Sequence, residues 1–342
     1  MTAYDGPIVD AHHHFWEPRL GYQPWLRPDA AIPFRYGDYT SIKRDYLPPD
    51  LLRDAAGFDI VGTVTMETEW VESDPVGEVV YTEGIAQRYG LPTASVAHAR
   101  LQDDDARAVL EELAEHDLVR AVRQKPGQAS SADRAAGSRT LLSDPEWERG
   151  FAALADVGLD FELQTAWWQF DEAVSLFRRY PEIAVTINHA GLPSDRSPDG
   201  LDGWRRAMST MAELPNVSAK ISGIGVPGMP WTAANQREVV EGVVAAFGTD
   251  RVMFASNYPV DSLTATYAEI YGGFIEITAG WSRTEQETAF ARNAVRVYRL
   301  PERILDPAAD PDPAADAGAT ADAVAAAADP DPAAETDAGL SA

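Results

Sequence analysis

The 342-residue chain contains no cysteine. That excludes a disulfide framework, a thiolate zinc site, an iron–sulfur cluster and a thiol nucleophile, and leaves His, Asp and Glu to hold any metal. No run of about 18 apolar residues occurs, so nothing reads as a membrane span. Residues 1–7 lack a basic region followed by an apolar stretch, which argues against a secretory signal and for a cytoplasmic protein. Positive charge is scarce: 28 Lys and Arg face 54 Asp and Glu, a net −26. Nine of those acids lie from Asp306 onward with no base among them, leaving residues 1–305 with 45 acids against 28 bases, or −17. Such a surface repels polyanions, so neither nucleic acid nor an anionic membrane is an expected partner. There is no Gly-x-Ser-x-Gly elbow, which argues against a serine hydrolase. Gly223-Ile-Gly-Val-Pro-Gly228 lacks the Lys-Ser/Thr of a phosphate loop and reads as a flexible loop.

What is present divides in two. Hydrophobic residues make up 45% of the chain, enough for a full core. Residues 306–342 are largely Ala, Asp and Pro, and repeat Ala-Asp-Pro-Asp-Pro-Ala-Ala from Ala309 and again from Ala328. That composition cannot offset chain entropy by burial, so a disordered acidic tail is expected. Residues 1–305 alternate short β-rich runs with amphipathic stretches of helical period. The runs fall at 8–14, 60–67, 93–100, 118–123, 159–165, 184–189, 217–222 and 252–256. Eight strands with helices between them predict a (β/α)8 TIM barrel of α/β class. Residues 15–46, rich in Trp, Tyr, Pro and Arg, are too long for one connection and read as a lid after the first strand.

In such barrels reacting groups sit where strands end. The expected ends carry His12 and His14, Glu67 and Glu69, His98, Arg123 and Lys125, Gln164, His189, Lys220, and Asn257 with Asp261. In Asp10-Ala-His-His-His14, alternation on a strand gives Asp10, His12 and His14 one face and His13 the other, packed against a helix. Two imidazoles two positions apart can converge on one divalent ion. His189, followed by Ala190-Gly191, supplies a third nitrogen. Arg123 and Lys220 are cations on apolar strands; an anionic substrate group or an ion pair with Glu67 or Glu69 would each account for them. Gln164 offers a neutral contact. Phe15, Trp16, Trp25, Trp70, Trp167, Trp168 and Tyr258 are candidate walls, and His116 has no assigned role.

With these residues in view the chain resembles the amidohydrolase superfamily, in its amidohydrolase-2 branch of sugar-lactone and pyrone-dicarboxylate hydrolases. The matching pieces are Val9-Asp-Ala-His-His-His-Phe-Trp16, Tyr46-Leu-Pro-Pro-Asp-Leu51, Val119-Arg-Ala-Val-Arg-Gln124, Asn188-His-Ala-Gly191, Lys220-Ile-Ser-Gly223 and Phe254-Ala-Ser-Asn-Tyr-Pro-Val260. The resemblance implies a hydrolase that delivers water to a lactone carbonyl. It implies a divalent metal, zinc or manganese, on His12, His14 and His189, with metal-independent action left open. His189, Lys220, Asp261, Glu67 and Asn257 would be catalytic; Arg123, Gln164, Glu69, His98 and Trp16 would bind a small carboxylate or lactone. Self-association into a homo-oligomer stays open. One departure matters: the family has Ser-Asp-Trp/Phe-Pro after the eighth strand, whereas this chain has Ser256-Asn-Tyr-Pro259. An amide is too weakly basic to take a proton from water. Asp261 or Glu67 would have to replace the missing base. Otherwise the chain is a ligand-binding barrel without turnover, and a third reading is non-oxidative decarboxylation of an aromatic acid.

Overall fold

A computed structural model describes residues 4–135 and 137–306. Eight parallel strands pair in chain order: β1 (Pro7–His13), β2 (Asp59–Met66), β3 (Ala94–His98), β4 (Val119–Arg123), β5 (Asp160–Leu163), β6 (Val185–Ile187), β7 (Val217–Ile221) and β8 (Val252–Phe254). Helices follow the strands, which makes the expected (β/α)8 barrel. Each strand falls inside its sequence-predicted run or within a residue of it. β6 and β8 have only three residues, because the backbone leaves the sheet early to form the site.

Two layers of apolar side chains hold the fold. Val9, Ala11, Val64, Met66, Val96, Ala121 and Met253 fill the barrel interior, joined by Ala294, Tyr298 and Leu300 from the segment after β8. Larger residues pack between sheet and helices, among them Trp147, Phe151, Phe161 and Phe177. Strands covered on both faces read as near-continuous apolar runs, which is why they stand out in this sequence. The helices carry their own boundaries. In α4 (Pro145–Val157) the Asp144 side chain accepts from the Glu146 amide, Pro145 takes the first turn, and Gly158 ends the helix at φ 72°.

The barrel closes between β1 and β8 by fewer contacts than elsewhere. The Asn257 amide donates to the His12 carbonyl at 2.8 Å, and the His14 amide to the Tyr258 carbonyl at 2.7 Å. The Asp10 carboxylate, fully buried, spans the seam. Its Oδ1 accepts from the Ser256 amide at 2.9 Å; its Oδ2 accepts from the Ser256 hydroxyl at 2.6 Å and the Tyr267 hydroxyl at 3.1 Å. Burial pushes the Asp10 carboxyl upward, and these donors oppose that.

The lid after β1 is cinched at its neck, where Trp16 and Tyr46 exchange backbone hydrogen bonds of 3.1 and 2.9 Å. It then crosses the barrel mouth. Trp25 Nε1 donates to the Thr68 carbonyl at 2.8 Å, Arg35 donates to the Gly223 carbonyl, and the Tyr36 hydroxyl donates to Asp261 Oδ1 at 2.9 Å. Among the described residues no helix is long and apolar enough to cross a membrane. The expected disordered tail lies, past Asp306, outside the described residues.

Replacing Asp10 by Ala removes four acceptor contacts, the fourth from the His12 amide at 3.4 Å, and strands the buried Ser256 amide. Asp10→Ala is expected to lower the unfolding free energy by about 2–4 kcal/mol, read as a fall in the urea midpoint.

Candidate active site

β1 brings two histidines to the barrel mouth, but not by simple alternation. Asp10 pairs with Thr63 and His13 with Thr65, so β1 spends three residues where β2 spends two. Across this irregularity Asp10 is committed to the seam, while His12 and His14 approach His189. The ring centroids of His12 and His14 are 5.4 Å apart, and those of His12 and His189 4.5 Å apart. His13 packs on Phe15, centroid to centroid 4.3 Å.

His189 follows β6 in a left-handed backbone conformation at φ 53°, as do Glu69 (φ 57°) after β2 and Asn257 (φ 56°) after β8. Non-glycine residues rarely adopt this region, and its concentration at three strand ends marks a site held under strain. Gly223, at φ 56°, completes the arrangement: a Cβ there would lie 2.5 Å from His189 Nδ1. The start of this glycine-rich loop is therefore fitted against the histidine ring.

The ring nitrogens are set for ligation. His14 Nδ1 lies 3.2 Å from the Met66 carbonyl, which can only accept, so the proton sits on Nδ1 and Nε2 keeps its lone pair. His189 Nδ1 is 2.9 Å from the Ser222 hydroxyl. Both ring nitrogens of His12 are buried without a partner. Burial, then the nearby Arg123 guanidinium, pushes His14 down to about 3. Burial likewise holds His12 and His189 well below the usual histidine range. Neutral imidazole is the ligating form. Two imidazoles on one ion, at about 2.1 Å from nitrogen to metal, place their centroids roughly 5 Å apart, near the spacings seen. Among the described residues no three His, Asp or Glu side chains already stand as a closed ligand set. The donor chemistry fits a divalent ion, with the rings near one another rather than locked.

Around them lies a cavity of about 260 Å³, lined by His14, Trp16, Trp25, Glu67, Glu69, Arg123, Lys125, Gln164, His189 and Asn257, with Phe34 and Arg35 of the lid. Arg123 is buried and fully engaged. Its Nε meets Glu67 Oε1 at 2.7 Å, its Nη1 Gln164 Oε1 at 2.8 Å, and its Nη2 the Glu67 carbonyl at 2.8 Å. Burial alone would raise the Glu67 carboxyl, yet Arg123, then Lys125 and His98, hold it far below the ordinary range. Glu69 pairs with Lys125.

Three expected site residues stand elsewhere. Lys220 lies beneath the floor, its Nζ 2.9 Å from Glu162 Oε2, so its partner is neither Glu67 nor Glu69. Tyr298 donates to the other Glu162 oxygen at 2.5 Å, and burial draws the Lys220 ammonium down to about 8. His98 bonds the Arg123 carbonyl through Nδ1 at 3.0 Å and faces a different cavity, with Trp70 and Glu78. Asp261 sits one layer behind the wall. Its Oδ1 accepts from Asn257 Nδ2 at 2.6 Å and from the Tyr36 hydroxyl, while its Oδ2 is buried with no partner. Burial raises its pKa from 3.8 to about 6.

Sequence reasoning missed Arg35, Tyr36 and Glu162. Glu162 left a signal, a lone acid in the apolar run Phe161-Glu-Leu163 that matches the lone base Lys220. Arg35 and Tyr36 left none, because lid geometry has no periodicity.

The chain has relatives among known proteins. A family model of amidohydrolases matches residues 9–300. An uncharacterized protein, y4mH, of Sinorhizobium fredii is 38% identical over 86% of this chain and 99% of its own length. An L-fucono-1,5-lactonase of Burkholderia ambifaria is 28% identical over 78% of this chain and 85% of its own length. Among solved structures, an amidohydrolase from Burkholderia multivorans with bound zinc superposes with a TM-score of 0.71 at 23% identity, covering 86% of this chain and 100% of that one. This last likeness is one of fold.

Gly223→Ala forces a β-carbon against the His189 ring. The variant is expected to displace the His189 and His12 imidazole resonances in NMR spectra. Gly84→Ala, at a helical glycine with nothing within 4 Å, leaves them in place.

Proposed function

This chain belongs to the amidohydrolase family, and we propose that it is a hydrolase of small lactones of carboxylic or sugar acids. The observation that carries the reading is the convergence of the His12, His14 and His189 rings, the last two lining one pocket with Arg123, with a buried carboxylate of raised pKa one layer behind. Relatives named as L-fucono-1,5-lactonases support it.

His12, His14 and His189 would hold one divalent ion, zinc before manganese, which would polarise the carbonyl and acidify water toward a pKa of about 7. Arg123 directs its buried positive charge at the pocket and stabilises the negative charge that develops on the carbonyl oxygen. Gln164 fixes the Arg123 fork and, with Trp16 and Glu69, shapes the pocket for the ring. Lys220 is a positioning residue. Through Glu162 it orients Asn188, whose amide donates to Glu162 and whose oxygen lies 3.4 Å from Arg123 Nη1.

Of the two carboxylates able to replace the missing base, Asp261 is the stronger. Glu67 is neutralised by Arg123, and a carboxylate held far below its ordinary pKa is a poor proton acceptor. Asp261 keeps a pKa of about 6 and an oxygen without a partner. The Tyr36 hydroxyl links it to the chamber beside the histidine pocket, which Tyr36 lines: a proton accepted there from water would be matched by the one Tyr36 passes to Asp261 Oδ1. Asn257 donates to that same oxygen and holds the acceptor in place.

A lactone panel read by acid release is expected to show turnover. No turnover of any lactone with zinc or manganese supplied, or release of carbon dioxide without ring opening, would overturn the reading. Activity should rise with pH through about 6 as Asp261 ionises. Asp261→Asn is expected to lower kcat by about 100-fold or more and abolish that limb. The same change should stabilise the fold. The native carboxyl binds its proton up to about pH 6, the unfolded one only to about 3.8, so stability falls as pH rises between them. The ionised form therefore opposes folding by up to roughly 3 kcal/mol above pH 6, and Asp261→Asn should raise the melting temperature there. Elemental analysis should find about one divalent ion per chain, lost in His12→Ala.

A further inference from the structure

Next to the histidine pocket is a second chamber of about 440 Å³. The two share Arg35, Lys125 and Gln164 as lining residues, so they are neighbouring rooms of one crevice at the barrel mouth. The histidine pocket alone suits a compact lactone. With the second chamber, the space reaches the range of about 300–1,000 Å³ that encloses larger ligands.

The chamber has a distinct chemistry. Trp168, Leu192, Pro193, Ile224, Val226 and Pro227 give its wall an apolar face, and its charged groups are Arg35, Lys125 and Arg196, with no Asp or Glu. In a domain of net charge −17 an all-cationic lining needs a cause. Lys125 is matched by Glu69. The two arginines spend their hydrogen bonds on neutral acceptors. Arg196 Nη2 donates to the Ile224 carbonyl at 2.6 Å and to Gln236 Oε1 at 3.2 Å, and its Nε is buried without a partner. Arg35 donates to the Gly223 carbonyl and the Tyr36 hydroxyl. Glu238 and Asp261 act on Arg196 and Arg35 only at longer range, and guanidinium groups set in an apolar wall without a carboxylate in direct contact complement an anion, which they can meet with paired hydrogen bonds.

We infer that the substrate has two parts: a lactone ring at the histidine pocket, and an apolar or aromatic arm that ends in an anionic group at Arg196 and Arg35. This rests on the lactonase reading and extends it from a compact sugar lactone to a longer acid. The arm lies along Trp168 and Ile224. Because Arg35 belongs to the lid and lines both rooms, the distal anion also fastens the lid over the reacting ring.

The test uses the full chain and one series of δ-lactones bearing a phenyl spacer that ends in a carboxylate, a phosphate or a neutral methyl ester. The expected result is kcat/KM at least 10-fold higher for an anionic member than for the ester; whichever anion is preferred identifies the group. Arg196→Met should bring that ratio close to 1, and Arg196→Lys should restore part of it. Equal kcat/KM for the acids and the ester in the unaltered protein overturns the inference, whatever the variants do. A binding arm separates this from failure of the lactonase reading. Calorimetry with 4-phenylbutyrate and 4-phenylbutyramide should show the acid bound more tightly, by an Arg196-dependent margin, even if no lactone is opened. Equal binding of the two overturns the inference independently of turnover.

Discussion

Closure of the barrel between its first and last strands is the constraint on which the rest depends. Seven of the eight strand junctions are parallel ladders, two of them with register irregularities. The eighth rests on two backbone hydrogen bonds and the Asp10 carboxylate, and all of them involve residues at or next to the pocket. The His12 carbonyl accepts from Asn257 and the His14 amide donates to Tyr258. The strand-end residues that carry the imidazoles on one side and the amide on the other thus also hold the cylinder shut. A change that loosens the seam moves His12 and Asn257 apart. Stability and site geometry are therefore coupled here more tightly than in a site built on loops alone.

Beneath that seam the interior charges are arranged in pairs. Lys220 meets Glu162, Arg123 meets Glu67, and Asn188 ties the two pairs together. Isolated, any of these charges would be strongly disfavoured by desolvation; paired and further hydrogen-bonded, they become tolerable without adding much stability. Their value lies in orientation. Arg123 has almost no freedom left, which suits a group that must present fixed positive charge to a developing oxyanion. Asp261, like Asp10, is a buried carboxylate with no cation in direct contact, and it keeps the raised pKa that Glu67 has lost.

How much of this could be read from the sequence follows from the range of each interaction. The eight strands were legible because burial on both faces leaves apolar runs, and the strand ends followed from the fold. His12, His14, Glu67, Arg123, Gln164, His189 and Asn257 were all found that way. The partner of Lys220 was missed because cross-barrel pairing links β5 to β7, and no local pattern specifies which acid faces which base. His98 was expected at the pocket because it ends β3, but its ring bonds the Arg123 carbonyl and faces outward. Arg35 and Tyr36 were invisible: they act through lid contacts 188 and 225 residues away along the chain, and irregular loops leave no periodic trace.

The amide at position 257 and the carboxylate at position 261 are best understood as one feature. The Asn257 backbone is committed, its amide to His12 and its φ to the left-handed region. Its side chain is thereby aimed at Asp261, with Nδ2 and Oδ1 2.6 Å apart. A carboxylate at 257 would set two negative groups at hydrogen-bond distance in a buried site, and such a pair cannot ionise together; it holds one proton between its members. With an amide the contact becomes a donated hydrogen bond that favours the ionised form of Asp261. On the proposed reading, the amide in place of the family's carboxylate helps the neighbouring acid carry a charge at neutral pH, and the basic function would move four residues along the chain.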